Sequence, residues 1–140
     1  MPKKSTYAEA EKCSTKKGPL RSSAQITSDI AECDARRRLA ARIQRLLNKW
    51  EPILGVHVNE WRIQEMKLYW ASINERERRI TFNLKLLDMS PAFQEVTVVH
   101  ELVHLLTDGH DARFFELMDK HVPNWRKLHA KYAEPMARHS

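Results

Sequence analysis

The chain changes its hydrophobic rhythm three times. Residues 1–27 mix Lys, Ser and Thr with Gly18 and Pro19 and hold hardly a large apolar side chain. Such a segment buries too little surface to offset its ordering entropy, so it is predicted to be a disordered tail. From Ser28 or Asp29 the period becomes helical, with Leu39, Ile43, Leu46, Leu47 and Trp50 recurring at spacings of three and four. Asp29 and Glu32 resemble a capping box at its start, and Pro52 with Gly55 is expected to end it. Arg36, Arg37, Arg38, Arg42 and Arg45 crowd the remaining positions and read as a solvated face.

The period then shortens. Val56, Val58, Trp61 and Ile63 suggest a strand, bulged near Glu60 where the alternation slips. Residues 68–73 form a second candidate strand. After the polar turn Asn74-Glu75-Arg76-Glu77, Arg79-Ile80-Thr81-Phe82 forms a third. Hairpin-length connections predict a small antiparallel sheet.

After Asn83 the helical period returns. A short helical piece around Leu84–Asp88 leads to Ser90-Pro91, an N-cap followed by proline at the first helical position. That helix is expected to run to about Asp108, with Gly109 taking the left-handed position beyond its end. Asp111 can cap a further helix carrying Phe114, Phe115, Leu117 and Met118. Val122-Pro123-Asn124 breaks it, and a last helix holds Trp125, Leu128 and Tyr132. The pattern predicts one α+β domain over residues 28–140 behind the tail.

Charge refines this picture. The net charge is +6. Residues 1–50 carry 12 Lys+Arg against 5 Asp+Glu, a net of +7, and residues 51–140 carry 12 against 13, a net of −1. The basic excess sits in the tail and first helix, where it could attract nucleic acid or an acidic partner. A solvated tail that aids solubility accounts for it more simply. No apolar run approaches the roughly 20 residues that span a bilayer, and no apolar stretch follows the N-terminal lysines to make a secretory signal. Cys13 and Cys33 form neither a disulfide framework nor a metal knuckle, which suits free thiols in a reducing cytoplasm.

The chemistry lies in the 91–108 helix. Val96, Val98, Val99, Leu102, Val103, Leu105 and Leu106 cover nearly all its sides, so it is expected to be central and buried. Yet His100, Glu101 and His104 lie within that run, and burying them without partners costs several kcal/mol by order of magnitude. One helical turn separates the two histidines, so both imidazoles can meet one ion. Glu101 is displaced by about 100° and can reach an activated water without ligating the metal. His-Glu-x-x-His arises by chance in roughly 3% of shuffled chains of this composition, so the buried, capped context adds to the motif. A pair of hydrogen-bonded core histidines is the plainer alternative.

Catalytic zinc usually has three protein ligands and one open position. His110, Asp108, Asp111, Glu116 and Asp119 lie downstream. His110 is favoured because Gly109 lets the chain reverse directly before it. The 100/104/110 spacing equals that of the metzincins, although the metzincin glycine position is Thr107 here. His57, His121, His129 and His139 lack a partner at ligand spacing and read as ordinary surface or core residues. Nothing in the sequence singles out a second electrophile, for which Tyr132 and His121 are candidates.

Several segments together resemble the YgjP-like metallopeptidases, relatives of the SprT-like proteases. They are Val98 to Leu106, Gly109-His110, Phe114-Phe115, Val122 to Leu128, and upstream Ile80-Thr81-Phe82-Asn83. The resemblance spans about residues 56–132. It implies a minimal zincin-like α+β fold, with a small sheet packed on the His-Glu-x-x-His helix. It also implies His100, His104 and His110 as Zn2+ ligands, Glu101 as catalytic base, and a peptide or protein substrate. One stretch departs from the family: Tyr69-Trp70-Ala71-Ser72-Ile73 keeps the tryptophan and serine of its tryptophan-glycine-serine-cysteine strand but not the glycine or cysteine. The expected function is a cytoplasmic zinc metallopeptidase. Its rivals are a protease recruited to DNA by the basic N-terminal region, a non-catalytic module stapled by zinc, and a protease acting on a repressor.

Overall fold

The computed structural model describes residues 6–7, 22–107 and 109–132. In chain order the elements are β1 (Thr6–Tyr7), α1 (Ser23–Leu54), β2 (Glu60–Gln64), β3 (Ala71–Asn74) and β4 (Arg79–Asn83). A 3-10 turn (Leu84–Asp88), α2 (Pro91–Val103), α3 (Ala112–His121) and α4 (Trp125–Tyr132) complete them. The class is α+β, as expected.

Helix α1 starts earlier than its hydrophobic period does. Ser22 is the N-cap, its hydroxyl accepting from the Gln25 amide at 3.1 Å. The expected capping box does not form, because Asp29 instead accepts from the Gln25 side chain and Glu32 pairs with Arg36. Residues 22–27, expected in the disordered tail, are thus a capped, largely exposed helix start, and Thr6–Tyr7 pairs with β2. The rest of that tail lies outside the described residues. Leu39, Ile43, Leu46, Leu47 and Trp50 are buried, as their spacing predicts. The helix runs through Pro52, which near a C-terminus forfeits a single backbone bond. Gly55, at φ 69°, takes the left-handed position and ends it.

Two of the five arginines on α1 are not a solvated face. Arg36 donates to the carbonyl of Ile63 on β2. Arg42 donates to the Gln94 side chain at 3.1 Å, and Gln94 donates in turn to the Leu86 carbonyl at 2.8 Å. These bonds tie α1 to the sheet and to the approach of α2.

The sheet is mixed, in the order β1-β2-β4-β3. The β3–β4 hairpin is antiparallel as expected, but β2 pairs in parallel with β4, and β1 in parallel with β2. The chain leaves β2, crosses to the far edge for β3, and returns as β4 into the middle, which points β4 the same way as β2. Asn83 organises that crossing from a buried position: its amide donates to the carbonyls of Met66 and Tyr69 at 3.0 and 2.9 Å. The slip near Glu60 marks the start of β2 rather than a bulge. Ahead of it, the Val58 amide is taken by the Glu51 carboxylate at 3.0 Å.

Helix α2 is capped by Ser90, whose hydroxyl accepts from the Phe93 amide at 3.2 Å, with Pro91 in its first turn. Gln94 and every residue from Val96 to Val103 are buried, confirming a central helix. It ends at Val103, short of the expected Asp108. Leu105 and Leu106 then bond three residues back, to Leu102 and Val103, and the Thr107 hydroxyl takes the Val103 carbonyl at 3.2 Å. Among the described residues no helix is long and apolar enough to cross a membrane.

One clamp joins α1 to α2. Glu95 accepts from Lys49 Nζ at 2.7 Å and from the indole of buried Trp50 at 2.9 Å. Burial works to raise its pKa, but those bonds and the Lys49 and Arg42 charges outweigh it and hold the carboxyl below its ordinary value. Glu95→Ala strands a buried indole donor and is expected to cost about 1–3 kcal/mol at neutral pH in chemical denaturation. A depressed carboxyl stabilises the fold above its unfolded pKa and ceases to as pH falls through the folded one. The gap between variant and wild type is therefore expected to narrow in acid; a constant gap would assign the loss to packing alone.

Candidate metal centre

The register of α2 sets His100 and His104 one turn apart, 4% and 2% exposed, with Glu101 between them at 1%. His110 reaches them from outside the helix. Gly109 adopts φ 67°, the reversal that its position predicted, and Asp111 at once caps α3 by accepting from the Phe114 amide at 2.9 Å. His110 is thus held between a left-handed glycine and a helix cap. Its Nε2 lies 3.3 Å from Nε2 of His100 and 3.2 Å from Nε2 of His104. One ligand nitrogen from each of the three rings falls within 4.8 Å of the others.

These separations test the fit of a metal. Each Nε2 carries either one hydrogen or one lone pair, so hydrogen bonding alone serves a triangle of such atoms poorly. Tetrahedral zinc with Zn–N of about 2.0–2.1 Å holds its ligand nitrogens about 3.3–3.4 Å apart. The observed spacings match, and three imidazoles are a donor set suited to zinc and its first-row neighbours. The surroundings hold the rings in place. Phe114 packs against all three, with centroids 5.0, 5.1 and 4.5 Å from those of His100, His104 and His110.

The remaining candidates fall elsewhere. Asp111 is a helix cap. Asp119 accepts from the Trp125 indole at 2.8 Å and pairs with Arg126, and Glu116 is exposed. Asp108 and His139 lie outside the described residues, as does the side chain of Tyr132. His57 faces Glu51 at 3.4 Å. His121 packs edge-on against Trp50, its pKa lowered by burial and then by the neighbouring Lys120 charge. His129 is the exception among the histidines read as ordinary. From α4 its ring stacks on His100, with centroids 5.3 Å apart and planes 9° from parallel. Glu75 was likewise read only as part of a polar turn, yet its Oε1 lies 3.9 Å from Nδ1 of His104. Neither residue shares a periodic element with the motif, so spacing carried no signal for them.

A family model described as "YgjP-like, metallopeptidase domain" matches residues 3–134. The chain belongs to the YgjP-like metallopeptidase family. A search of curated proteins gave no match. Among solved structures, this YgjP-like chain is similar to the metallopeptidase zymogen of Pyrococcus abyssi abylysin, at 22% identity and a TM-score of 0.61. The match covers 69% of this chain and 97% of that one, and shows a shared zincin-like fold. The stretch that departs from the YgjP-like pattern, expected as strand from residue 68, becomes strand only at Ala71, and the retained Trp70 just ahead of it packs edge-on against Phe93 of α2, centroids 5.4 Å apart. Its place is thus explained by packing between sheet and helix.

Proposed function

We propose that this YgjP-like chain is a zinc-dependent peptidase of the cytoplasm, with His100, His104 and His110 as ligands and Glu101 as general base. The observation that carries the reading is the triangle of Nε2 atoms, whose 3.2 and 3.3 Å sides suit zinc. When bound, zinc supplies a Lewis acid and a water of lowered pKa. Glu101 accepts a proton from the attacking water and passes it to the leaving amine nitrogen. Its place in the helix supports that role: Glu101 follows His100, turned about 100° from the face that carries the two histidines.

One feature supports a peptide as substrate. Strand β3, beside α2, is an edge strand of the described sheet, so an extended peptide can add to it through backbone hydrogen bonds.

The test is metal analysis of the purified full chain together with cleavage of an unfolded protein. One equivalent of zinc is expected, with cleavage abolished by a chelator and restored by zinc. Zinc with a fourth protein ligand and no cleavage would instead establish the staple reading, and a chain without zinc would overturn both. Recruitment to DNA is a separate proposal. Arg36 and Arg42 are engaged inside the fold, which leaves Arg37, Arg38 and Arg45 as the exposed arginines of α1. Salt-sensitive DNA binding that vanishes on removal of residues 1–28 would establish it.

A further inference from the structure

A metal-bound imidazole has a second ring nitrogen, and the partner of that nitrogen sets tautomer, orientation and basicity. In His104, Nε2 belongs to the triangle. On the other side of the ring, Nδ1 faces the β3–β4 turn, where Glu75 Oε1 lies within ion-pair range at 3.9 Å.

Glu75 is set apart from the other charges of its turn. Arg76, Arg78 and Arg79 follow it closely in sequence, yet among the described residues it forms no ion pair with any of them. Arg79 is taken by Glu60 and, at 2.9 Å, by Glu77, and Arg78 donates to the His57 carbonyl. The backbone of the turn is tight. Asn74 Oδ1 accepts from the Glu77 amide at 3.1 Å, and Arg78 takes a left-handed φ of 53°. The base of Glu75 is therefore fixed, while its side chain is 48% exposed and can change rotamer. The His104 side chain, at 1% exposure, cannot move to meet it. Closing the gap by about 1 Å reaches the range of a charge-assisted N–H···O bond, about 2.8 Å.

We propose that Glu75 is a positioning residue for the metal centre: it accepts the Nδ1–H of His104, fixing Nε2 as the lone pair offered to the metal. The inference rests on the metal reading above and extends it to a hairpin residue outside the His-Glu-x-x-His helix. The carboxylate holds the ring in one tautomer and makes it a stronger donor.

The experiment measures zinc affinity of the full chain by competition with a chromogenic chelator. Wild type is compared with Glu75→Gln, Glu75→Ala and, as a control on the same turn, Glu77→Gln, alongside the melting temperature of each metal-free protein. Both Glu75 variants are expected to bind zinc about 10–100-fold more weakly, with metal-free melting unchanged and Glu77→Gln within about twofold of wild type. In nitrogen-15-labelled, zinc-loaded protein the His104 Nδ1–H proton is expected to resist exchange in wild type and to lose that protection in Glu75→Ala. If wild type binds one equivalent and both Glu75 variants stay within about twofold of it, the inference fails and the metal reading stands. Equal weakening in Glu77→Gln also overturns it, by assigning the loss to the charge of the turn. A wild type that binds no zinc removes the metal reading itself, and the inference with it.

Discussion

Glu101→Gln is expected to keep a full equivalent of zinc while its hydrolysis rate falls about 10²–10⁴-fold, the usual contribution of a positioned general base. The substitution preserves shape, which matters at 1% exposure on a helix packed on all sides. The amide cannot take a proton from water or hand one to an amine. The proposed ligand nitrogens come from His100, His104 and His110, so the metal has no reason to leave. Folding should not suffer either, since a neutral side chain is easier to bury than a charged one. Metal content, melting temperature and rate, measured on one preparation, separate the outcomes. Zinc lost along with activity would make Glu101 a ligand, and activity retained would place the base elsewhere.

Features that depend on neighbours in sequence were legible from the chain alone. Ser90-Pro91 capped α2, Asp111 capped α3, and Gly109 took a positive φ directly before His110. Together these placed three imidazoles in one triangle. The lengths of the helices were less legible, because periodicity reports the buried face and α1 begins before it has one. Ser22, an ordinary serine in a polar stretch, caps that exposed start. The parallel pairing of β2 with β4 was hidden because hairpin-length loops suggest neighbours, whereas β3 pairs on the far side of β4. Arg36 and Arg42 looked solvated because nothing local shows that Ile63 and Gln94 wait opposite them. The surroundings of the centre were hidden for the same reason. Glu75 and His129 reach His104 and His100 only once the hairpin and α4 have packed.

Removing single histidines is expected to divide holding the metal from holding the fold. His110→Ala should lose zinc by more than the roughly 100-fold that an outer partner of a ligand commands, since it deletes a proposed ligand outright. Yet His110 sits on an exposed stretch between Gly109 and Asp111, so the metal-free protein should melt as wild type does. His104→Ala should lose the metal too, but this residue is 2% exposed and its ring packs against Phe114, so a cavity opens and the metal-free form should also weaken. Zinc itself makes the difference measurable. A ligand at 100 times its Kd stabilises the native state by about 2.7 kcal/mol, so a chelator should lower the melting temperature of wild type. In His110→Ala the chelator should change nothing, because no metal remains to be withdrawn. If His110→Ala still binds one equivalent tightly, the third ligand is another residue and the triangle is only packing. If the chelator destabilises His110→Ala as much as wild type, the metal is held elsewhere. If His104→Ala alone loses zinc, Gly109 sets the entry to α3 and has no part in bringing a ligand to the metal.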